Sequence, residues 1–141
     1  VVLDLYCGAG TIGLYISPYI KHVYGVEIVK EAVMSAKKNQ EINRTRNIEF
    51  YVGDTKTILG EFHLQANKVI VDPPRSGLDQ KTKEYLLKLV PERIIYVSCD
   101  PVTLTREIKD LSSKYELKTI TFVDMFPNTE HVESVCLLKR R

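Results

Sequence analysis

Short hydrophobic runs alternate with amphipathic stretches along most of the chain. Apolar residues recur at helical spacing from Lys30 to Ile42 and from Lys81 to Val90. Asp100 followed by Pro101 supplies a cap and a first-turn proline for a helix that should end near Leu111. Strands alternating with helices indicate a parallel sheet covered by helices. We predict strands in five of the hydrophobic runs: Val1 to Tyr6, Val23 to Glu27, Ile48 to Val52, Lys68 to Asp72 and Arg93 to Ser98.

The pattern changes after the helix that starts at Pro101. Leu117 to Asp124 and Val132 to Leu138 have the composition of two further strands, and the connection between them is too short for a crossover helix. The last strand must therefore run antiparallel to its neighbour. We predict an α/β fold with a mostly parallel, seven-stranded sheet whose last strand is antiparallel, unlike a plain dinucleotide-binding sheet.

Composition narrows the class of protein. The chain has 141 residues, of which 44% are hydrophobic and 27% are charged, and we expect them to form one domain over residues 1–141. Because the sequence has no initiator Met, we expect it to be the C-terminal part of a longer protein. A net charge of +2 is too small to decide nucleic-acid binding. The sequence has no CxxC pair among its three cysteines, Cys7, Cys99 and Cys136, which suits a reducing compartment. It shows no signal peptide, and no apolar run reaches the roughly 18 residues of a membrane span. We therefore expect a cytoplasmic protein.

A glycine-rich turn, Gly8-Ala9-Gly10-Thr11-Ile12-Gly13, follows the first predicted strand. Glycine lacks a Cβ, so the backbone at Gly8 and Gly10 can approach a ligand closely, and the helix from Thr11 points its first amides there. Glu27 lies 19 residues after Gly8, where an acidic side chain can accept both hydroxyls of a ribose. The alternative for Glu27 is a solvated carboxylate at a strand end. Together these residues predict a nucleotide-type cofactor pocket.

Two further segments follow predicted strands. Asp54 could accept a hydrogen bond from the exocyclic amine of adenine or could simply cap a helix at Thr55. Asp72-Pro73-Pro74-Arg75 forms a stiff ledge on which a flat ring could rest, with Asp72 reaching the cofactor or the substrate. Its alternative is a proline-rich turn. Arg75 could donate to a carbonyl or a phosphate, or form a surface ion pair.

Cys99 and Glu133 suggest covalent chemistry. Cys99 lies where a buried strand ends and a helix begins, and Glu133 lies at the edge of another strand. A thiolate can add to carbon 6 of uracil so that carbon 5 attacks an electrophilic methyl group, and a carboxylate can then remove the hydrogen at carbon 5. The alternative for Cys99 is that it is only a small buried packing residue. We expect such a packing role for Cys136 and for Cys7, which lies in the glycine turn. His131 could hold Glu133 in place.

Four motifs, in order, resemble those of a known family. They are Asp4-Leu5-Tyr6-Cys7-Gly8-Ala9-Gly10-Thr11, Asp72-Pro73-Pro74-Arg75, Ser98-Cys99-Asp100-Pro101 with Thr103-Leu104, and Phe126-Pro127 with His131-Val132-Glu133. The whole chain resembles the catalytic domain of the RNA 5-methyluridine methyltransferases, which act on transfer RNA and ribosomal RNA.

The resemblance implies a Rossmann-like, class I methyltransferase fold, S-adenosylmethionine as the methyl donor, Cys99 as nucleophile and Glu133 as base. It implies an RNA substrate, with ribosomal RNA expected ahead of transfer RNA, and neither a membrane nor an obligate protein partner. Pro73, Pro74 and Arg75 would face the substrate. Members of the family also have an N-terminal RNA-binding domain, an inserted domain and a glutamine-bearing cofactor motif, none of which is in this sequence. Some members carry an iron–sulfur cluster, which the three cysteines here cannot hold. The resemblance assigns the cofactor site to Tyr6, Thr11, Glu27, Asp54 and Asp72, and Thr11 stands where relatives often have Asn.

Three other functions fit part of the sequence. A cytosine-5 RNA methyltransferase would use the same attack at carbon 6 of the ring. An NAD-type oxidoreductase would use the glycine turn and Glu27, but it leaves the Asp72–Arg75 segment and the final hairpin unexplained. A non-catalytic RNA-binding scaffold would keep the fold without needing Cys99 or Glu133.

The missing segments lead to a first prediction. We expect the isolated 141-residue chain to bind S-adenosylmethionine weakly and to methylate RNA poorly, because extruding a base from folded RNA costs a few kcal/mol that other domains would help to offset. Turnover of the isolated chain and of the full-length protein on the same RNA would be compared. Equal turnover would contradict this expectation.

Overall fold

The computed structural model describes residues 1–62, 66–125, 127–129 and 132–141, and it describes their side chains except those of Lys56, Glu61 and Phe62. Phe126 and His131, which the sequence analysis singled out, lie outside the described residues. The chain divides into two compact units, Val1–Val69 and Ile70–Arg141.

The described residues of the first unit form three parallel strands and three α-helices. The strand β1 pairs with β2, and β2 pairs with β3, with Val2 opposite Val23 and Val23 opposite Ile48. All four residues of β1 are buried, as expected of a strand that is covered on both faces in a parallel sheet. The elements are β1 (Val2–Leu5), α1 (Thr11–Ile16) with a short 3₁₀ turn (Ser17–Tyr19), β2 (Val23–Glu27), α2 (Lys30–Ile42), β3 (Ile48–Val52) and α3 (Thr55–Phe62).

The second unit contains the end of β4 and the rest of the chain. Its strand β7 is antiparallel to both β5 and β6. The elements from β4 onward are β4 (Lys68–Val71), α4 (Gln80–Leu89), β5 (Arg93–Ser98), α5 (Pro101–Leu111), β6 (Tyr115–Val123) and β7 (Glu133–Arg140). The strands form a seven-stranded sheet in the order β3-β2-β1-β4-β5-β7-β6, which confirms the predicted fold class and the antiparallel last strand.

The ends of several elements differ from the predicted ones for local reasons. The strand β1 stops at Leu5 because Tyr6 has a φ of 61°, in the left-handed region that a strand does not use. The helix α4 begins at Gln80, one residue early, because the Asp79 side chain accepts a hydrogen bond from the Thr82 amide. It ends at Leu89 because Val90 also adopts a left-handed conformation.

Buried side chains follow the strand periodicity of the second unit. Along β7 the buried residues alternate with half-buried ones, and Cys136 is fully buried between them. Burial raises the pKa of the Cys136 thiol. Cys136 is therefore a packing residue, as the sequence suggested.

The ring of Phe50 makes the first unit intolerant of side chains at two glycines. A Cβ on Gly25 would lie 2.5 Å from Cδ1 of Phe50, and a Cβ on Gly10 would lie 2.5 Å from its Cζ. Real Cβ atoms do not approach other atoms so closely, so either substitution must displace the ring.

We expect Gly25→Ala to lower the free energy of unfolding by about 1–3 kcal/mol because it overpacks the core against Phe50. Gly60→Ala is the matched control, since Gly60 lies in α3 with open space around its Cβ position. That change should instead stabilise the protein by about 0.5–1 kcal/mol through helix propensity. Urea unfolding of both variants measures the difference, and a Gly25→Ala protein as stable as the wild type would refute the steric argument.

Candidate active site

The glycine turn is built from left-handed backbone conformations. Tyr6, Gly8 and Gly10 have φ values of 61°, 54° and 78°. The Cys7 amide donates to the Val26 carbonyl at 3.1 Å, and the Gly10 amide donates to the Cys7 carbonyl at 2.8 Å. The chain thus leaves β1 through a tight turn and enters α1 at Thr11, as the sequence predicted.

Asp4 anchors this turn, a role that the sequence analysis did not assign. Its side chain is fully buried in β1, and its Oδ2 accepts a hydrogen bond from the Gly13 amide at 3.0 Å. The bond ties the first turn of α1 to the strand. A charged residue between the buried Leu3 and Leu5 was the available signal, because carboxylates are almost never fully buried unless they are paired.

The Glu27 side chain is hydrogen-bonded to the glycine turn, with which it was predicted to form the cofactor pocket. Its Oε2 accepts from the Gly8 amide at 3.0 Å and its Oε1 accepts from the Val29 amide at 2.9 Å. Two backbone amides therefore orient this half-buried carboxylate, which distinguishes it from a freely solvated strand-end residue. A carboxylate offers about four acceptor positions, so further donors such as hydroxyls can still be accommodated.

The two glycines of the turn face different surroundings. Among the described residues other than its chain neighbours, none has a heavy atom within 4 Å of a Cβ placed on Gly8. The Cβ position of Gly10 is blocked by Phe50. Gly8 thus leaves open space beside Glu27. Gly10 has no side chain because Phe50 packs against it, so only the backbone of Gly10 could contact a cofactor.

Cys7, within the same turn, lies in surroundings that disfavour a thiolate. Burial, followed by the negative charges of Asp4 and Glu27, raises the pKa of Cys7 far above its usual range. Its sulfur would lie 3.1 Å from a Cβ on Gly25, so it packs against β2. This agrees with the packing role expected from the sequence.

Asp54 lies directly before α3. Its carbonyl accepts hydrogen bonds from the amides of Thr57 and Ile58, each at 3.0 Å, so the residue occupies the position that caps this helix. The neighbouring Gly53 amide donates to the Glu27 carbonyl at 2.9 Å. This bond joins the end of β3 to the end of β2 and brings Asp54 to the same edge of the first unit as Glu27. Contact with adenine stays a prediction.

In the second unit, Asp72 follows β4 and is electrostatically coupled to Glu133. Pro73 is buried, whereas Pro74 and Arg75 are exposed. Although Asp72 as a residue is exposed, protein atoms desolvate its carboxylate, and this desolvation together with the negative charge of Glu133 raises the pKa of Asp72. The loop after β4 therefore reaches the residue that opens β7.

Cys99 lies in a turn whose flanking residues are hydrogen-bonded to one another. The hydroxyl of Ser98 donates to the Asp100 carbonyl at 3.0 Å and accepts from the Asp100 amide at 3.1 Å. The Asp100 carboxylate caps α5 by accepting from the amide and the hydroxyl of Thr103, at 3.1 and 2.5 Å. These bonds lower the pKa of Asp100, and the positive charge of Arg75 adds to the effect. Arg75 thus lies close to the segment that carries Cys99.

The pairing of β5 with β7 relates Cys99 to Glu133. Ser98 lies opposite Ser134 in the antiparallel register. Cys99 follows Ser98 and Glu133 precedes Ser134, so both lie at the same end of one strand pair. The second unit therefore gathers a thiol, two carboxylates and a guanidinium at one edge: Cys99, Asp72, Glu133 and Arg75.

Comparison with known proteins identifies the family of this chain. The family model for tRNA (uracil-5-)-methyltransferases matches residues 1–53 and 54–141. The chain belongs to this family.

Relatives in the family are longer proteins. An uncharacterized RNA methyltransferase of Staphylococcus aureus (strain MSSA476) is 49% identical over 140 residues, covering 97% of this chain and 31% of the relative. The crystal structure of the Pyrococcus abyssi tRNA (uracil-54, C5)-methyltransferase, in complex with S-adenosyl-L-homocysteine, matches with a TM-score of 0.85 and 37% identity over 97% of this chain and 33% of that one. The chain thus spans about a third of the length of these family members.

A more distant structure shows the fold alone. A precorrin-6y C5,15-methyltransferase from Geobacter metallireducens has a TM-score of 0.79 at 12% identity, covering 99% of this chain and 79% of that one.

Within the described residues of the present chain, no helix is long and apolar enough to cross a membrane. The same residues contain no group of three or more His, Cys, Asp or Glu placed to hold a metal ion.

The coupling between the two carboxylates can be measured. Glu133→Gln removes the negative charge that helps to raise the pKa of Asp72, so that pKa should fall toward its ordinary value. Carbon-detected NMR titration of the Asp72 carboxyl would follow the change. Glu116→Gln, which neutralises a carboxylate paired with Lys118 on β6, should leave it unaltered. An Asp72 pKa that is the same in Glu133→Gln and in the wild type would show that the two groups are not coupled.

Proposed function

We propose that this protein transfers a methyl group from S-adenosylmethionine to carbon 5 of a uridine in RNA, with Cys99 as the nucleophile and Glu133 as the base. The observation that supports this most is the β5–β7 register, which puts these two residues at one end of adjacent strands. Family membership supports the uracil-5 chemistry. We take residues 1–141 as the catalytic domain.

The proposed reaction begins with the thiolate of Cys99. Its sulfur adds to carbon 6 of the uracil ring, and the electron pair of the 5,6 double bond moves toward the carbonyl oxygen at carbon 4. Carbon 5 becomes nucleophilic and forms a bond to the methyl group, whose bond to the sulfonium sulfur of the donor breaks and leaves a neutral thioether. Glu133 then removes the hydrogen from carbon 5, the double bond re-forms, and the bond between sulfur and carbon 6 breaks to release the thiolate. Each residue thus has one role in a balanced cycle.

The first unit fits a nucleoside-bearing cofactor. Open space adjoins Gly8, and Glu27 is fixed by two amides with acceptor positions to spare for ribose hydroxyls. Ile28 and Val29, which follow Glu27, are 63% and 49% exposed and offer an apolar surface to a flat base. When bound, S-adenosylmethionine supplies the electrophilic methyl group. Tyr6, Gly10, Thr11 and Asp54 complete the proposed cofactor site.

The loop after β4 is proposed to meet the target base. Pro73 and Pro74 give a rigid edge, and Arg75 can donate to a uracil carbonyl or to a phosphate. Asp72 contacts the cofactor or the base. A base within folded RNA must be extruded from its stack to reach such a site. We expect methylation of ribosomal or transfer RNA in the cytoplasm. The sequence analysis favours ribosomal RNA, but the Pyrococcus abyssi relative is a tRNA (uracil-54, C5)-methyltransferase, so transfer RNA should be tested beside it.

The covalent cycle predicts different outcomes for two substitutions in the full-length protein. Glu133→Gln should accumulate an RNA–protein adduct on ordinary uridine RNA, because the hydrogen at carbon 5 cannot leave and the sulfur remains attached. Cys99→Ala should form none. Denaturing electrophoresis with labelled transfer and ribosomal RNA from a strain lacking the gene detects the adduct.

Cys136→Ala serves as the control in the same assay, because this cysteine is buried in β7 and has no role in the reaction. It should methylate RNA as the unsubstituted protein does. An adduct that survives Cys99→Ala would contradict the assignment of the nucleophile. Mass spectrometry of the product nucleosides separates 5-methyluridine from 5-methylcytidine, and the latter would favour cytosine as the target.

A further inference from the structure

A buried carboxylate on α5 contacts the loop between β4 and α4, residues 72–79. We infer that Glu107 is a positioning residue that fixes this 72–79 loop and thereby keeps Asp72 and Arg75 beside Glu133 and the Cys99 turn. The inference rests on the proposed function, since it concerns residues that the proposal assigns to the reaction.

Glu107 is 0% exposed, which is rare for a carboxylate and requires compensation. Its Oε2 accepts a hydrogen bond from the Leu78 amide at 3.3 Å. Its Oε1 lies 3.4 Å from Nζ of Lys83 and 3.6 Å from Nη2 of Arg106. Two cations balance the charge, so the carboxylate can remain buried while it binds the loop backbone.

The helix α5 contacts three consecutive residues of the loop. Arg106 donates to the Ser76 carbonyl at 3.2 Å, and Glu107 accepts from the Leu78 amide. Between them, Gly77 has a φ of 82°, and a Cβ there would lie 2.7 Å from Cγ2 of Thr103 and 2.9 Å from Oε1 of Glu107. The loop therefore lies against α5 so closely that only glycine fits at its centre.

The proposed nucleophile lies just before the first residue of the same helix. Thr103, which contacts Gly77, donates two hydrogen bonds to Asp100, the residue after Cys99. The charge of Arg75 acts on Asp100, and the charge of Glu133 acts on Asp72. Fixing residues 76–78 to α5 consequently sets the distance between the first half of the loop and Cys99.

A purely structural ion cluster is the competing explanation, and Asp110 offers a matched control for it. Asp110, on the same helix, pairs with Lys83 at 2.8 Å, and among the described residues it makes no hydrogen bond or ion pair to the 72–79 loop. Asp110→Asn should therefore weaken the link between α4 and α5 without releasing the loop. Glu107→Ala removes both the ion pairs and the acceptor for Leu78.

The test uses the full-length protein with two readouts, hydrogen–deuterium exchange of the 72–79 segment and steady-state methylation of RNA. Glu107→Ala should speed exchange in this segment by about tenfold or more. It should lower kcat by about ten- to a hundredfold with little change in KM for RNA, because misplaced groups fail in the transition state rather than in binding. Asp110→Asn should leave exchange of the segment and kcat close to those of the unsubstituted protein.

Gly77→Ala provides a second variant, in case Glu107→Ala does not fold. Its Cβ pushes the loop away from Thr103 and Glu107, and it should reproduce the loss of kcat and the faster exchange. If the folded variants lose only thermal stability and keep kcat, Glu107 is structural and the inference is wrong. Unchanged exchange in both variants would also overturn it while leaving the proposed function intact. Absence of methylation by the unsubstituted protein would instead overturn the proposed function, and the positioning role with it.

Discussion

The antiparallel pairing of β7 with β5 is the constraint on which the proposed chemistry depends. Three opposed pairs, Ile94 with Leu138, Tyr96 with Cys136 and Ser98 with Ser134, are all buried. A slip of one residue would turn this buried set toward the other face of the sheet, so core packing fixes the register. The end of that register is where Cys99 leaves β5 and Glu133 enters β7. The hydrophobic core therefore determines which thiol and which carboxylate lie at this end of the strand pair.

Five carboxylates of this molecule fall into two groups by their surroundings. Asp4, Glu27 and Glu107 each accept hydrogen bonds from amides of a neighbouring turn or loop. Asp72 and Glu133 instead lie close enough for one charge to raise the pKa of the other carboxyl. Like charges kept together in this way are costly for folding, and such pairs are found most often at functional sites.

The sequence was sufficient for much of the fold. Alternating hydrophobic runs gave the strands and most of the helices, and the short final connection gave the antiparallel β7. Local chain rules also placed Cys99 before a capped helix, because Asp100 and Pro101 are adjacent in sequence. What the sequence could not give depends on residues far apart in the chain: Gly10 faces Phe50, and Glu107 is buried against Gly77 and Lys83. Neither contact leaves a periodic signal along the chain.

The most direct test of the central claim is to locate the covalent bond. The full-length protein would react with S-adenosylmethionine and RNA containing 5-fluorouridine, in which fluorine replaces the hydrogen that the base must remove. Peptide mass spectrometry would then identify the attached residue. The account predicts a methylated fluorouridine on the peptide that contains Cys99 and on no other. Attachment at another residue, or methylation of ordinary uridine RNA without any attachment to the fluorinated RNA, would contradict it.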